Sequence, residues 1–421
     1  MRVLCLTPHY PPEIRSVSIL MSQLAEDLAA MGHAVTVIAP YPPANMAEAR
    51  EGVVPKETGR VRVIRTSVLP FVKVAPAVRA LTHFSLAASM VSAGLRAGKH
   101  DVILAYSPPL TVGLACELLG RRWGTPFIFN VQDLYPQTLI DLGLARSRLV
   151  VGVLRWLERR AYRQARMITV HSAGNRDYLA ARGVPPQKIA VIPNWIDTAV
   201  TVPGPHENVY RTELALQGRF VILFAGVMGY AQDLAVIVRA AAALRDHRDI
   251  VFLLVGDGVR RPEAENLVQA RGLDTVRFLP FQPLERYPLL VNAADCCLVT
   301  LQSSVATPVV PSKIAGIFAS ARPVVAALPP GDARSLVEAS GGGVCVAPGD
   351  AEAMAQALLR LAHSPASLKA MGEAGRRYVE VHFARAAATR SYGQLITDIV
   401  GSGAVADSAG YSSQDSQQPS P

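Results

Sequence analysis

Residues 2–40, "RVLCLTPHYPPEIRSVSILMSQLAEDLAAMGHAVTVIAP", decide the fold class of this chain. The runs RVLCLTP and AVTVIAP at the two ends are short and apolar, as strands buried in a parallel sheet are. Between them, apolar residues recur at helical spacing ahead of a glycine at position 32, and these are Ile19, Leu20, Leu24, Leu28 and Met31. A strand, a helix and a strand in this order predict a βαβ unit.

The same alternation continues in two series, which a polar, proline-containing bridge separates. The second series begins at RFVILFAG, residues 219–226. Two such series predict an α/β protein with two Rossmann-like domains that face each other across a cleft, where ligands are expected to bind. We assign residues 1–198 to the first domain, with a returning helix at about residues 380–400, and residues 199–379 to the second.

The last residues and the overall composition limit the remaining possibilities. Residues 401–421 are rich in Ser, Gln, Gly and Pro, which predicts a disordered tail. The chain has 421 residues, five cysteines and a formal net charge of +9. The cysteines are odd in number and show no C-x-x-C spacing, so neither a disulfide framework nor a zinc site is expected. No signal peptide or membrane-spanning segment is predicted, which indicates a reduced, cytosolic protein.

The positive charge indicates an anionic partner, which composition alone leaves open between nucleic acid, a phosphate-bearing metabolite and an acidic membrane surface. Nucleic acid is the least favoured, because the basic residues are scattered and no stacking aromatic residues are interleaved with them. Residues 149–166 combine one apolar helical face with several arginines, as helices at a membrane interface do. An ordinary amphipathic helix packed on the sheet is the alternative and the more common cause of such a pattern, and the same two alternatives hold for residues 76–98.

Two loops in the second domain follow strands at the edge where ligands are expected. In FAGVMGYAQD, residues 224–233, Gly226 and Gly229 let backbone N–H groups approach an anion at a helix N-terminus. A plain strand-to-helix turn would look the same. In VGDG, residues 255–258, Asp257 either receives a hydroxyl or amide of a ligand or caps the next turn.

A lysine stands at the start of an apolar helix in VVPSKIAGIFASARPVV, residues 309–325. Ser312 is a natural N-cap there, and Lys313 falls in the first helical turn. A cation at a helix N-terminus opposes the helix dipole unless an anion lies between them. We therefore predict a phosphate ligand at Lys313, with a solvated lysine as the alternative.

In the first domain, candidate residues follow the first and fifth strands. Glu13, Arg15 and Ser16 are expected to project into the cleft, where Arg15 is either a second phosphate contact or a surface arginine. Asp133, in NVQDLYPQ at residues 130–137, is the best-placed carboxylate for acceptor positioning or proton transfer. The alternative is that Asp133 only caps the turn that follows the strand.

Taken together, these motifs resemble family 4 of the glycosyltransferases, which have the GT-B fold. The resemblance is strongest to the WbuB/WcaI-like branch, which builds O-antigen, capsule and colanic-acid-like polysaccharides. The matching motifs span nearly the whole chain in the family's order, and they are HYPPEIRSVS, YSPPL, NVQDLYPQ, VIPNWID, FAGVMGYAQDL, VGDG, VVPSKI with ARPVVAA, and GGGVCVAPGD.

The resemblance implies that a sugar passes from a UDP- or GDP-linked donor to a hydroxyl of a lipid-linked or polysaccharide acceptor. It also implies retention of anomeric configuration, no metal or other cofactor, and work as a peripheral protein at the cytosolic face of the plasma membrane. Asp133 would orient or deprotonate the acceptor. By analogy, the donor contacts are Gly226, Gly229 and Gln232 at the diphosphate, Asp257, Phe281 and Gln282 beside the nucleotide, and Ser312 and Lys313 at the phosphates.

The sequence departs from the family pattern at several of these positions. Val227 and Gln232 stand where many members have an arginine and a lysine, and Pro308 and Gly316 stand where many have glutamates. On the acceptor side, Gln132 replaces a histidine, and Arg15 replaces the glycine of the first loop.

These departures leave Lys313 and Arg15 as the expected cations for the leaving diphosphate. Two alternatives to a transferase stay open. One is a sugar-nucleotide epimerase on the same fold, and the other is a non-catalytic partner in polysaccharide assembly.

Overall fold

The computed structural model describes residues 1–13, 15–42, 61–69 and 76–411. Two parallel sheets, one of seven and one of six strands, form the frame of the molecule. This confirms the predicted α/β class with two Rossmann-like units.

The first sheet is built entirely from parallel pairs in the order β3-β2-β1-β4-β5-β6-β7. Its central strands are buried on both faces, because helices cover the sheet from either side. The strands are β1 Arg2–Leu6, β2 Ala34–Pro40, β3 Val61–Thr66, β4 Val102–Ser107, β5 Phe127–Val131, β6 Met167–Val170 and β7 Ile189–Val191.

The second sheet repeats this architecture with the strand order β10-β9-β8-β11-β12-β13. Its pairs are also parallel, and its central strands are fully buried apolar runs. The strands are β8 Phe220–Ala225, β9 Ile250–Val255, β10 Val276–Leu279, β11 Cys296–Thr300, β12 Val324–Ala327 and β13 Gly343–Val346.

Helices connect the strands in both halves. Those of the first half are α1 Ser16–Ala30, α2 Pro76–Ala97, α3 Val112–Trp123, α4 Gln137–Asp141, α5 Arg148–Gln164 and α6 Ala173–Ala180. Those that follow are α7 Val209–Glu213, α8 Leu234–Ala243, α9 Arg261–Arg271, α10 Tyr287–Ala293, α11 Lys313–Ala319, α12 Asp332–Ser340, α13 Ala351–Ala362, α14 Pro365–His382 and α15 Arg385–Tyr411.

Helix α15 leaves the second half and packs on the first sheet. Tyr392 and Ile396 are buried in the same apolar cluster as β1 and α1. The Arg385 guanidinium donates to the carboxylates of Asp27 and Asp197, which fixes the start of the helix. The sequence predicted a disordered tail from residue 401, but the helix continues to Tyr411, and residues 412–421 lie outside the described residues.

Candidate active site in the cleft

A cavity lies between the two halves, at the carboxyl edges of both sheets. From the first half, Ser16, His171 and Asn194 line it, and from the second half Ser312 and Leu336 do. In parallel α/β sheets ligands bind at this edge, because the loops that follow the strands meet there.

Lys313 lies beneath the glycine loop of the second half. Its Nζ is 3.9 Å from the centroid of the Phe224 ring, and a Cβ added to Gly226 would lie 3.3 Å from that Nζ. The residue as a whole is partly exposed, but Nζ itself has no solvent contact and no hydrogen-bond partner among the described residues. Burial lowers the pKa of Lys313 to about 8.

Glycines are required where the two loops of the second half cross. Gly226 and Gly256 have φ values of +134° and +139°, which side-chain-bearing residues rarely adopt. A Cβ on Gly256 would overlap the backbone of Gly226, and one on Gly258 would overlap the backbone of Met228. The predicted glycine loop and the VGDG loop are therefore packed backbone to backbone above Lys313.

The Gln232 side chain occupies a backbone amide of the glycine loop. Its Oε1 accepts a hydrogen bond from the N–H of Gly229 at 3.0 Å, and its carbonyl accepts one from Gln302 Nε2 at 3.3 Å. A ligand phosphate that used the Gly229 amide would have to displace the Gln232 side chain.

The residues expected beside the nucleotide lie on two loops, Asp257 on the VGDG loop and Phe281 and Gln282 on the loop that follows β10. Asp257 is exposed and accepts from the Gly258 N–H at 2.7 Å, and Phe281 is 54% exposed. Gln282 accepts from the Tyr210 hydroxyl at 2.9 Å and donates to the Pro280 carbonyl at 3.0 Å. Phe281 thus offers an open aromatic face, whereas the Gln282 amide is already engaged within the protein.

Ser312 stands at the N-cap position of α11, but its side chain makes no capping hydrogen bond. Its φ and ψ of −58° and −23° are helical, whereas a capping residue has extended angles, so the predicted cap is wrong. Ser312 instead lines the interdomain cavity, as Ser16 does from the other side.

The expected acceptor-side residues behave differently from one another. Glu13 is buried, and its Oε2 lies 2.8 Å from His9 Nδ1 and 3.5 Å from Arg15 Nε. The carboxylate that we expected to project into the cleft is thus engaged within its own loop. The Arg15 side chain is 59% exposed, so it needs a ligand or a movement to reach a phosphate.

Asp133 follows β5 and has a carboxylate without a hydrogen-bond donor among the described residues. Burial raises the pKa of Asp133 above its usual value. Burial, together with the nearby Asp133 charge, raises the pKa of Tyr135 to about 12. A partly desolvated carboxylate with free acceptor positions is suited to receive the proton of a hydroxyl group.

Three residues that the sequence analysis missed hold Gln132, the neighbour of Asp133. Asn194 Nδ2 donates to Gln132 Oε1 at 2.6 Å, and Gln132 Nε2 donates to Asn130 Oδ1 at 2.8 Å. His171 Nε2 is 3.1 Å from the Gln132 carbonyl, and burial lowers the pKa of this imidazole. The sequence did contain a signal for two of these residues, because His171 and Asn194 each follow a predicted strand of the first sheet, at the edge where ligands are expected.

Comparison with known proteins agrees with this geometry. A model of the "Glycosyl transferase 4-like domain" matches residues 17–195, and one of the "Glycosyl transferases group 1" matches residues 219–364. WcaI of Escherichia coli K12, named for colanic acid biosynthesis, is 28% identical over 382 residues, which cover 86% of this chain and 94% of WcaI.

Two further comparisons agree with these matches. The 2-deoxystreptamine glucosyltransferase of Streptomyces kanamyceticus is 31% identical over 67% of this chain and 74% of its own length. The crystal structure of Anabaena HepE in complex with UDP-glucose shares the fold, with a TM-score of 0.71 and 19% identity over 96% of this chain and all of HepE. The chain is therefore a glycosyltransferase, and it belongs to family 4 of the glycosyltransferases with the GT-B fold.

Proposed function

We propose that this glycosyltransferase moves a sugar from a UDP- or GDP-linked donor to a hydroxyl of a lipid-linked or polysaccharide acceptor, with retention of configuration, in the biosynthesis of a cell-surface polysaccharide. The observation that carries the proposal is the buried ammonium group of Lys313. It lies under a glycine loop at the cleft and has no anionic partner in the described protein.

An unpaired buried cation is costly, so its persistence indicates that a ligand supplies the missing negative charge. The glycosyl–phosphate bond breaks with the bonding electrons leaving on the diphosphate, and Lys313 would stabilise that charge where it develops. The absence of a side chain at Gly226 leaves room for a phosphate oxygen above Nζ.

The acceptor hydroxyl forms the new bond to the sugar and gives up its proton. Asp133, on the opposite half, is the carboxylate we assign to orient or deprotonate this hydroxyl. No side chain is assigned as a covalent nucleophile, and the mechanism uses no metal.

The nature of the substrates is supported by what relatives are named for. HepE has been crystallised with UDP-glucose, and WcaI is named for colanic acid biosynthesis. These names favour a nucleoside-diphosphate sugar as donor and a growing extracellular polysaccharide as the product.

We also propose that the protein works on the inner face of the plasma membrane as a peripheral protein. None of the helices in the described part of the chain is both long and apolar enough to span a bilayer. Helix α5 nevertheless exposes Leu149, Val150, Val153 and Trp156 by 43–78%, beside exposed arginines. Apolar and cationic side chains together suit an anionic lipid surface, where a lipid-linked acceptor would be found.

The substitution Lys313→Ala tests the proposal. UDP affinity is expected to fall about 10- to 100-fold, because a charged hydrogen bond contributes about 1.5–3 kcal/mol. Calorimetry with UDP and GDP measures this, and a screen of UDP- and GDP-sugars for nucleotide release measures turnover. The matched control is Lys369→Ala, at a lysine whose side chain is 80% exposed on α14. Unchanged affinity in the Lys313 variant would contradict the proposal.

The two alternatives, an epimerase and a non-catalytic partner, predict other experimental outcomes than a transferase does. An epimerase would convert a nucleotide sugar to its epimer in the absence of any acceptor. A non-catalytic partner, which Pro308 and Gly316 at the family's glutamate positions favour, would leave polysaccharide synthesis intact in cells that carry Lys313→Ala.

A further inference from the structure

Two carboxylates, one from each half of the molecule, accept hydrogen bonds from backbone amides of the other half. Asp332, the first residue of α12, accepts from the N–H of Gly174 in α6, whose nitrogen is 3.2 Å from Oδ1 and 3.1 Å from Oδ2. Asp141, the last residue of α4, accepts from the N–H of Thr307 at 3.0 Å. These contacts connect the two halves across the cleft.

The Asp332 contact has a clear electrostatic reason. Helices α6 and α12 both begin at the carboxyl edges of their sheets, so their N-termini point toward the same interdomain gap. Each N-terminus carries about half a positive charge, and the two would repel each other without an anion between them. The Asp332 carboxylate lies in the first turn of its own helix and against the first turn of the other.

The position of Gly174 is adapted to this contact. A Cβ added to Gly174 would overlap the Asp332 carboxylate, at 2.9 Å from Oδ1 and closer still to Oδ2. Its backbone is helical, and its φ does not lie in the left-handed range that favours glycine. The close approach of Asp332, and not backbone strain, therefore explains why a side chain is unfavourable here.

The segment that carries Gly174 also contacts the loop that carries Gln132 and Asp133. His171, three residues before Gly174, contacts the carbonyl of Gln132, which precedes Asp133. On the other half, Leu336 of α12 lines the same cavity as Ser312, the neighbour of Lys313. The Asp332 contact thus connects the loop that carries Asp133 with the half that carries Lys313.

We propose that Asp332 is a positioning residue for sugar transfer, which sets the width of the cleft, and thereby the separation of Asp133 and Lys313, by docking on Gly174. The hydrogen bond from Thr307 to Asp141 is a second contact between the two halves. The link to catalysis rests on the proposed function, but the docking itself can be measured without any activity.

The contact between Asp332 and Gly174 is tested with three variants of the full chain: Gly174→Ala, Asp332→Ala and the double variant. Small-angle X-ray scattering with saturating UDP should show a larger radius of gyration for both single variants than for the wild type. The double variant should match Asp332→Ala alone, because the added methyl group then has no carboxylate to meet. Gly401→Ala, in an open part of helix α15, is the control for a glycine-to-alanine change in a helix.

Activity provides the second measurement. Transfer should slow about 10- to 100-fold in both single variants, since a misplacement of about 1 Å can cost that much in rate. The UDP affinity should change little, because Lys313 and the glycine loop both lie on the second half, and Arg15 is the single proposed diphosphate contact on the first half.

Scattering profiles and rates equal to those of the wild type would overturn the proposal, as would additive effects in the double variant. If the profiles change as expected while the wild type transfers no sugar from any donor, the proposed function fails and the docking stands. Should Gly174→Ala not fold, Asp332→Ala alone decides, because it removes the contact without adding bulk.

Discussion

The ammonium group of Lys313 has unusual surroundings for a charged group. The Phe224 ring and the Gly226 backbone are its near neighbours, and the titratable group that faces it is the Cys297 thiol. Burial raises the pKa of Cys297 to about 12, so this thiol is neutral at physiological pH and supplies no counter-charge. A bound diphosphate would place a full negative charge beside the lysine, which none of the described side chains does.

This arrangement predicts that donor binding takes up a proton. The pKa of Lys313 is about 8 in the free protein and should rise when an anion pairs with it. Below pH 8 the lysine is already charged and the affinity is at its maximum. As the pH rises above 8, charging the lysine costs free energy and the affinity falls.

Calorimetry with UDP-glucose in two buffers of different ionisation enthalpy measures the uptake. At pH 8 about half a proton should be taken up for each ligand bound, and at pH 6.5 almost none. Lys313→Arg keeps the charge at every pH and should abolish the uptake. Equal uptake in the arginine variant would assign the proton to another group.

Asp133 permits a second prediction at the scale of one residue. Asp133→Asn keeps the size of the side chain but removes a proton acceptor, so the turnover of transfer should fall by about 10²- to 10⁴-fold. UDP affinity should not change, because Asp133 lies on the half opposite Lys313. A loss of UDP affinity that equals the loss of turnover would assign Asp133 to donor binding instead.

At the scale of elements, helix α5 shows an exposed surface with one sign of charge. Between residues 144 and 166 the single acidic residue is Glu158, which is buried and whose pKa burial raises to about 7. The exposed side chains there are thus mainly apolar or arginine. The sequence could not decide between a membrane helix and a packed one, and in the structure its inner face packs through Leu157 and Ala161 while the outer face stays uncovered.

This surface predicts binding to anionic vesicles. The double variant Leu149→Glu/Val153→Glu should weaken binding to phosphatidylglycerol vesicles at least 10-fold, because each buried aliphatic side chain contributes about 1.5–3 kcal/mol. Vesicle co-sedimentation measures this. Val381→Glu, at a residue 71% exposed on the second half, is the matched control. If the wild type bound phosphatidylcholine vesicles equally well, charge would have no role in the binding. If the double variant bound as the wild type does, this face of α5 would not be the binding surface.

At the scale of the whole molecule, local patterns were sufficient for the fold but not for the site. The thirteen parallel strands in the described residues agree with the short apolar runs that alternate with helical periodicity in the sequence. The burial of Lys313, by contrast, depends on Gly226 and Phe224 from a distant strand, and the engagement of Gln132 depends on Asn194 and His171. Such contacts join residues far apart in sequence, which a pattern within one segment does not contain.

The path of α15 predicts how the chain tolerates truncation. Removal of residues 385–421 would expose the apolar surface of α1 and β1 that α15 covers through Tyr392, Ile396 and Ile399, which are at least 95% buried. Three such side chains contribute roughly 5–8 kcal/mol, which is comparable to the whole stability of a domain. This truncated chain should aggregate or melt far below the wild type in a thermal scan, whereas a chain that ends at residue 402 should melt with it. Equal melting temperatures for both truncations would show that α15 does not support the first half.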